Sequence, residues 1–218
     1  MQTRPKLFGA SYSVYVRITR LALLEKGIDY ELIPIDVFGA DGSTSGHLKR
    51  HPFGRIPAFE HSGVMLYETS AITRFIDETF EGPALQPKYA LERARCNQII
   101  SIADNYAYLN LVWGVYVELV SKPQQNQEPD LKRIEAALGI AKTCLCTLEE
   151  LLGDNLWLAG GSLTLADLYM APMIAYFLQA SEGRELLQCY PSLSAWWSRM
   201  SGRPSMLNSE FEPTSASG

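Results

Sequence analysis

Cysteine is scarce in this 218-residue chain, and none precedes residue 96. The four cysteines, Cys96, Cys144, Cys146 and Cys189, are too few and too irregularly spaced for a disulfide scaffold or a paired CxxC zinc site. We therefore expect reduced, mostly buried thiols and no metal centre.

The chain also has an excess of acidic over basic residues and lacks long apolar runs. The chain has 19 Lys and Arg against 24 Asp and Glu, a net charge of −5, and no basic stripe to neutralise phosphates. Its richest apolar run, Leu109–Val117, is far shorter than the roughly 20 residues of a membrane-spanning helix. Met1–Lys6 lacks the apolar core of a secretory signal. We therefore expect a cytoplasmic protein without nucleic acid or membrane partners.

The rest of the composition is that of a folded globular protein, with 47% hydrophobic and 20% charged residues. Residues 1–82 alternate between strand and helix patterns. Apolar runs predict strands at 6–9, 30–35, 56–60 and 64–67, and helical spacing predicts helices at 14–26 and 68–80, with one or two further turns near Leu48. We predict an α/β domain of order βαβαββα, with a mixed four-stranded sheet.

Strand patterns end at a Pro- and Gly-containing linker, which we place at residues 83–90. Helical periods at about 91–120, 130–152, 165–178 and 193–200 then predict an all-helical domain over residues 91–207, followed by a flexible tail at 208–218. Thr164 and Asp167 form a capping box at the start of the last long helix. We expect Asp167→Ala to cost roughly 0.5 to 2 kcal/mol through the loss of this cap.

Three hydroxyl residues, Ser11, Tyr12 and Ser13, lie where the first strand is followed by the first helix. The unpaired N–H groups of a helix start favour bound anions, and hydroxyls beside them could bind one too. Plain N-capping by Ser11 or Ser13 also explains these residues, and the two roles are compatible.

Two further segments lie next to predicted strands. A cis bond at Ile56–Pro57 would turn the Ile56 N–H and C=O towards an extended ligand backbone, whereas an ordinary trans edge proline is the alternative. Glu68 and Thr69 fit either a capped helix start or a site in which Thr69 binds a carboxylate and Glu68 an ammonium group. Neither segment alone decides between the two interpretations.

An aromatic stripe in the second half consists of Tyr106, Trp113 and Tyr116, which have the spacing of one face of an α-helix. Core packing explains such a stripe. An apolar wall for a hydrophobic substrate held between the two domains explains it equally well.

In this order and spacing, the motifs resemble the cytosolic glutathione transferase family over nearly the whole chain. The order is a serine at the first strand–helix turn, Gly54-Arg55-Ile56-Pro57 before the third strand, Glu68-Thr69-Ser70 after the fourth, a linker, and the capping box. The segment Ser13–Arg17 resembles the Ser-Pro-Phe-x-x-Arg or Cys-Pro-Phe-x-x-Arg motif of phi-, tau- and omega-like and related bacterial classes, with Val14 where proline is usual. The resemblance implies a thioredoxin-like first domain, an all-helical second domain and a homodimer.

The resemblance also implies roles for the first-turn hydroxyls. Ser13 would be the catalytic residue that meets the sulfur of glutathione, with Ser11 and Tyr12 as alternatives. Glutathione would be the co-substrate, without a metal, and its thiolate would attack a hydrophobic electrophile, as in detoxification.

The same resemblance implies which residues hold the rest of glutathione. Ile56, before a cis Pro57, would pair with the cysteinyl backbone, and Arg55 would contact the glycyl carboxylate. Glu68 and Thr69 would hold the γ-glutamyl end.

Other functions of this fold stay open at this point. A first turn without cysteine argues against the mixed-disulfide chemistry of glutaredoxin-like relatives. A glutathione-dependent peroxidase or isomerase, a non-enzymatic binding or assembly module, and a carrier of hydrophobic ligands remain as alternatives.

Overall fold

A computed structural model describes residues 4–38 and 45–210 of the chain. It contains two compact units, one made of the described residues up to Ala84 together with those from Pro204 onwards, and one spanning Leu85–Arg203. No helix within the described ranges combines the length and the hydropathy needed to cross a bilayer. Residues 211–218 of the predicted tail lie outside the described residues.

Four short strands form the sheet of the first unit. They are β1 (Lys6–Phe8), β2 (Glu31–Ile33), β3 (Ala58–His61) and β4 (Val64–Tyr67), in the order β2-β1-β3-β4. β1 runs parallel to β2 and antiparallel to β3, and β3 and β4 form a hairpin. Its turn residues, Ser62 and Gly63, both have positive φ, which suits the twist of a two-residue hairpin. The predicted mixed sheet is therefore confirmed.

One row of the sheet register brings three strand ends together. Phe8, the last residue of β1, pairs with Ala58, the first residue of β3, and Ala58 pairs in turn with Tyr67, the last residue of β4. The segments that enter or leave the sheet here are the turn after β1, Ile56–Pro57, and the start of the helix after β4. These segments are distant in sequence but lie at one edge of the sheet.

Within the described residues up to Ala84, the sheet is accompanied by the helices α1 (Val14–Glu25), α2 (Ser45–Leu48) and α3 (Thr69–Thr79). α1 and α3 pack against each other, and each buries an apolar face. Ile18 and Leu21 of α1 and Ile72 and Ile76 of α3 are completely buried. Burial of these side chains stabilises the unit by about 1.5 to 3 kcal/mol each.

The last described helix, α10 (Pro204–Asn208), packs on α1 and so belongs to the first unit. Arg17, buried on α1, donates a hydrogen bond to the Ser209 hydroxyl at 3.2 Å and another to the Met206 carbonyl at 3.1 Å. The predicted helical domain, residues 91–207, would have included this helix. Sequence periodicity does not predict that α10 packs on α1, because the hydrogen-bond partners of Arg17 lie 192 and 189 residues further along the chain.

Helices build the second unit. They are α4 (Ala90–Ile102), its continuation as a π-helix, π1 (Ala103–Ser121), α5 (Lys122–Gln124), α6 (Leu131–Leu152), α7 (Leu165–Phe177), α8 (Ser181–Gln188) and α9 (Pro191–Ser201). π1 packs against α6 and α7, and nearly every residue of α7 is buried, so α7 is the core helix. The apolar pattern did not predict α8, because only Gly183 and Leu187 of its eight residues are buried and no apolar period results.

A buried carboxylate holds the start of α7. Asp167 accepts hydrogen bonds from the backbone N–H of Leu158 (2.9 Å), from the N–H and hydroxyl of Thr164 (2.8 and 3.0 Å) and from Nε1–H of Trp196 (2.9 Å). The predicted capping box is thus present, and its carboxylate also ties α7 to α9.

Candidate functional site

The turn between β1 and α1 places Ser13 at a helix start. Ser13 is the N-cap of α1, and its Oγ accepts a hydrogen bond from the Val16 N–H at 3.4 Å, so N-capping by Ser13 is observed. No described residue accepts a hydrogen bond from the Ser13 hydroxyl. The hydroxyl proton is therefore available to a ligand at the positive end of a 12-residue helix.

Tyr12, by contrast, has a partner for its hydroxyl proton. It donates to Oδ1 of Asp36 at 2.7 Å. Burial and this bond to a carboxylate raise the pKa of Tyr12 far above its usual value. Its ring centroid lies 6.0 Å from that of Phe38, which is largely exposed, so an aromatic surface flanks the turn. Ser11 lies in the same turn and is half-buried.

The Ile56–Pro57 peptide bond is cis, as the resemblance implied. Among the described residues, neither the N–H nor the C=O of Ile56 has a hydrogen-bond partner. A Cβ on Gly9 would clash with Val16 and lie 3.4 Å from Cβ of Ile56. The bare glycine backbone therefore lets the turn after β1 pack closely against Val16 of α1, beside the Ile56 segment.

The start of α3 has an unusual backbone conformation. Glu68 occupies the N-cap position with φ 68° and ψ 116°, and its side chain makes no capping hydrogen bond. Such a conformation costs a residue with a side chain about 1 to 3 kcal/mol and is concentrated at functional sites. Thr69 is the first residue of α3, one position after the N-cap, so the interpretation in which Thr69 caps the helix is wrong.

Arg55 and Glu68 line one open cleft of about 450 Å³, together with Phe53. A cation and an anion in one cleft, beside the first amides of α3, complement a ligand that carries both a carboxylate and an ammonium group. Within residues 4–38 and 45–210, no cluster of His, Cys, Asp and Glu side chains is suited to a metal ion.

Two buried histidines support this edge of the sheet and were missed by sequence reasoning. Nε2 of His47 lies 2.7 Å from the carbonyl oxygen of Arg55. The ring of His51 packs 5.1 Å from that of Tyr67, next to Glu68. Their spacing of four residues, which places two side chains on one face of a helical turn, was the signal that could have drawn attention to them.

The aromatic stripe of the second unit does not form one face. Tyr106 is exposed, while Trp113 and Tyr116 are half-buried, and the Tyr116 ring packs 4.6 Å from that of Tyr176. All three stripe residues lie in π1, whose hydrogen bonds run from i to i+5, so spacings of three and seven no longer align side chains. The shared face was predicted for an α-helix and is wrong for that reason, whereas the role in substrate binding stays a prediction.

Comparison with known families and proteins finds similarity over both units. The family model "Glutathione S-transferase, N-terminal domain" matches residues 4–78, and "Glutathione S-transferase, C-terminal domain" matches residues 100–204. Glutathione S-transferase F13 of Arabidopsis thaliana is 30% identical over 93% of both chains. Glutathione S-transferase 4 of Zea mays is 30% identical over 97% of this chain and 94% of its own.

Solved structures show the same similarity in three dimensions. Glutathione transferase F2 from Populus trichocarpa superposes with a TM-score of 0.86 at 27% identity, covering 94% of this chain and 96% of its own. Glutathione S-transferase I from maize, solved with an atrazine glutathione conjugate, superposes with a TM-score of 0.84 at 28% identity, covering 95% and 96%.

Proposed function

The chain belongs to the glutathione S-transferase family, and we infer from this membership that it is an enzyme that transfers glutathione to electrophilic substrates. Both family domains are present in order, and relatives that carry the transferase name match over more than nine tenths of the chain. Glutathione is the co-substrate of this reaction, and the electrophile is the second substrate.

We propose that the glutathione site lies at the sheet edge where Phe8, Ala58 and Tyr67 pair in one row. This register row is the observation that carries the proposal, because it brings the Ser13 turn, the Ile56–Pro57 segment and the start of α3 to one place. Binding of this tripeptide requires a hydrogen-bond donor for the sulfur, backbone partners for the central cysteinyl residue, and charged groups for the two ends of the peptide.

Ser13 stabilises the thiolate of glutathione in this proposal. A free thiol has a pKa near 8.5, and lowering it by about two units takes about 2.7 kcal/mol of preferential stabilisation of the anion. A hydrogen bond from a hydroxyl to an anion contributes about 1.5 to 3 kcal/mol, and the end of α1 adds about 0.3 to 1 kcal/mol. Since Oγ of Ser13 already accepts the Val16 N–H, its own proton is the group left to donate to sulfur.

The remaining candidate residues hold the peptide part of glutathione. The N–H and C=O of Ile56, which have no partner among the described residues, pair with the cysteinyl backbone. The Arg55 guanidinium neutralises the glycyl carboxylate. The hydroxyl and N–H of Thr69 bind the γ-glutamyl carboxylate at the start of α3, where the helix dipole favours an anion. The Glu68 carboxylate binds the neighbouring ammonium group.

The electrophile is proposed to be hydrophobic. The aromatic surface formed by half-buried Tyr12 and exposed Phe38 beside the first turn supports this. Tyr106, Trp113 and Tyr116 remain candidates for the substrate wall. We further propose that the chain acts as a homodimer in the cytoplasm. Family membership supports both proposals.

Three single-hydroxyl variants test the assignment of Ser13. Ser13→Ala should raise the pKa of bound glutathione, followed by the ultraviolet absorbance of the thiolate, by about one to two units. Turnover of a chlorodinitrobenzene-type electrophile at a pH of about 6.5 should fall roughly 5- to 50-fold, because less thiolate is present. Ser11→Ala and Tyr12→Phe, the matched controls, should leave the thiolate pKa within about half a unit of wild type.

Two results would overturn parts of the proposal. If Tyr12→Phe abolishes thiolate formation and Ser13→Ala does not, the catalytic assignment is wrong and the family membership is unaffected. If the wild-type protein binds glutathione without turning over any electrophile, peroxide or isomerisable substrate, the non-enzymatic binding module replaces the transferase.

A further inference from the structure

The His47 side chain makes a hydrogen bond to the backbone of Arg55, the residue just before Ile56. The side chain is completely buried, and its Nε2 lies 2.7 Å from the carbonyl oxygen of Arg55. A carbonyl only accepts hydrogen bonds, so Nε2 carries the proton and donates it. Nδ1 of the same ring has no hydrogen-bond partner within the described part of the chain.

The backbone of His47 holds the same loop from its other end. Its carbonyl accepts the N–H groups of Arg50 (2.8 Å) and His51 (2.9 Å), and the carbonyl of His51 accepts the N–H of Gly54 (2.9 Å). Residues 47–55 therefore form a compact loop that the His47 ring closes on Arg55. Loss of the ring's donor would leave the Arg55 carbonyl without this partner and the loop without its closing bond.

The geometry of a peptide unit carries this effect to Ile56. The Arg55 carbonyl and the Ile56 N–H belong to one planar trans peptide unit, in which C=O and N–H point in opposite directions. A carbonyl held towards the buried His47 ring therefore directs the Ile56 N–H away from that ring. On the proposed function, on which this step rests, this N–H is a partner of the glutathione backbone.

We infer that His47 is a positioning residue for glutathione, which acts by orienting the Arg55–Ile56 peptide unit. It contacts neither the sulfur nor the electrophile. Its loss therefore weakens binding of glutathione and leaves the chemical step at saturating glutathione unchanged.

Two replacements of similar length separate this role from simple packing. His47→Gln keeps an N–H donor at the position of Nε2, whereas His47→Met fills the site without a donor. His61→Met is the matched control, because His61 is also buried and lies at the opposite end of β3, where Nε2 is 3.3 Å from the Ser62 hydroxyl.

In His47→Met, the KM for glutathione should rise about tenfold, with kcat at saturating glutathione and the KM for the electrophile unchanged. His47→Gln should return the KM for glutathione to within about threefold of wild type, and His61→Met should not change it. The ¹⁵N chemical shifts of the His47 ring in the wild-type protein should report the Nε2–H tautomer.

Each other outcome overturns the inference. A wild-type KM in His47→Met, or no recovery in His47→Gln, reduces His47 to a packing residue while the proposed transferase stands. An Nδ1–H tautomer in the wild-type protein would likewise reduce His47 to a packing residue. If His47→Met does not fold, this tautomer measurement tests the inference in its place. If the wild-type protein itself fails to bind glutathione, the proposed function and the role of His47 fall together.

Discussion

Removal of the Asp167 carboxylate should destabilise the second unit far more than loss of an ordinary helix cap. The carboxylate is completely buried and accepts four hydrogen bonds from Leu158, Thr164 and Trp196. In Asp167→Ala, the Thr164 hydroxyl is free to rotate to another acceptor. Three buried N–H donors, on Leu158, Thr164 and Trp196, are left without an acceptor.

The magnitude follows from those three donors. Each buried donor left without a partner costs about 1 to 3 kcal/mol, so three cost about 3 to 9 kcal/mol. Water that enters the space left by the carboxylate can accept hydrogen bonds from some of these donors. We therefore expect the free energy of unfolding to fall by about 3 to 6 kcal/mol. Domains are typically stable by about 5 to 15 kcal/mol, so the variant should lose a large part of its stability. The estimate from sequence, roughly 0.5 to 2 kcal/mol, treated Asp167 as a cap alone.

Asp130 provides a matched control within the same unit. It caps α6, and its side chain accepts hydrogen bonds from the N–H groups of Lys132 and Arg133, both at 3.1 Å, but it is exposed to solvent. Asp130→Ala should cost only about 0.5 to 2 kcal/mol, because water replaces the lost acceptor.

Urea unfolding followed by circular dichroism and tryptophan fluorescence measures both variants against wild type. Trp196 reports directly, because its Nε1–H loses its partner in Asp167→Ala. Equal losses of free energy in Asp167→Ala and Asp130→Ala would refute the argument from buried donors.

Two further predictions concern thiols and pH. At about pH 8, a disulfide reagent should label exposed Cys146 in the native protein but not buried Cys144, because burial raises the pKa of the Cys144 thiol to about 11. Rapid labelling of Cys144 without denaturant would contradict its burial. Burial lowers the pKa of His51 below its ordinary value of 6.5. As the pH falls below 6.5, His51 is protonated in the unfolded chain but stays neutral in the folded chain, so the free energy of unfolding decreases. His51→Asn should weaken this acid-side loss in urea unfolding measured across pH, and a profile parallel to wild type would count against the assignment.

Much of the candidate site is predictable from local signals. Ser13 follows a strand and precedes an apolar helical period, and Glu68 follows a strand in the same way, so apolar periodicity alone predicts that both lie at helix starts. The resemblance to the family already favours Ser13 over Tyr12, and a tertiary contact supports that preference. The hydroxyl of Tyr12 is held by Asp36, 24 residues away, and no local pattern indicates that bond.

The amino-acid sequence by itself determined the order and type of most elements, because apolar periodicity, glycines and prolines act over a few neighbouring residues. It did not determine the π-helical geometry of residues 103–121, the return of α10 to α1, or the bond from His47 to Arg55. Tertiary structure alone decided that Phe8, Ala58 and Tyr67 share one row of the sheet. Register and side-chain partners are set by contacts between residues far apart in the chain, which short-range patterns do not encode.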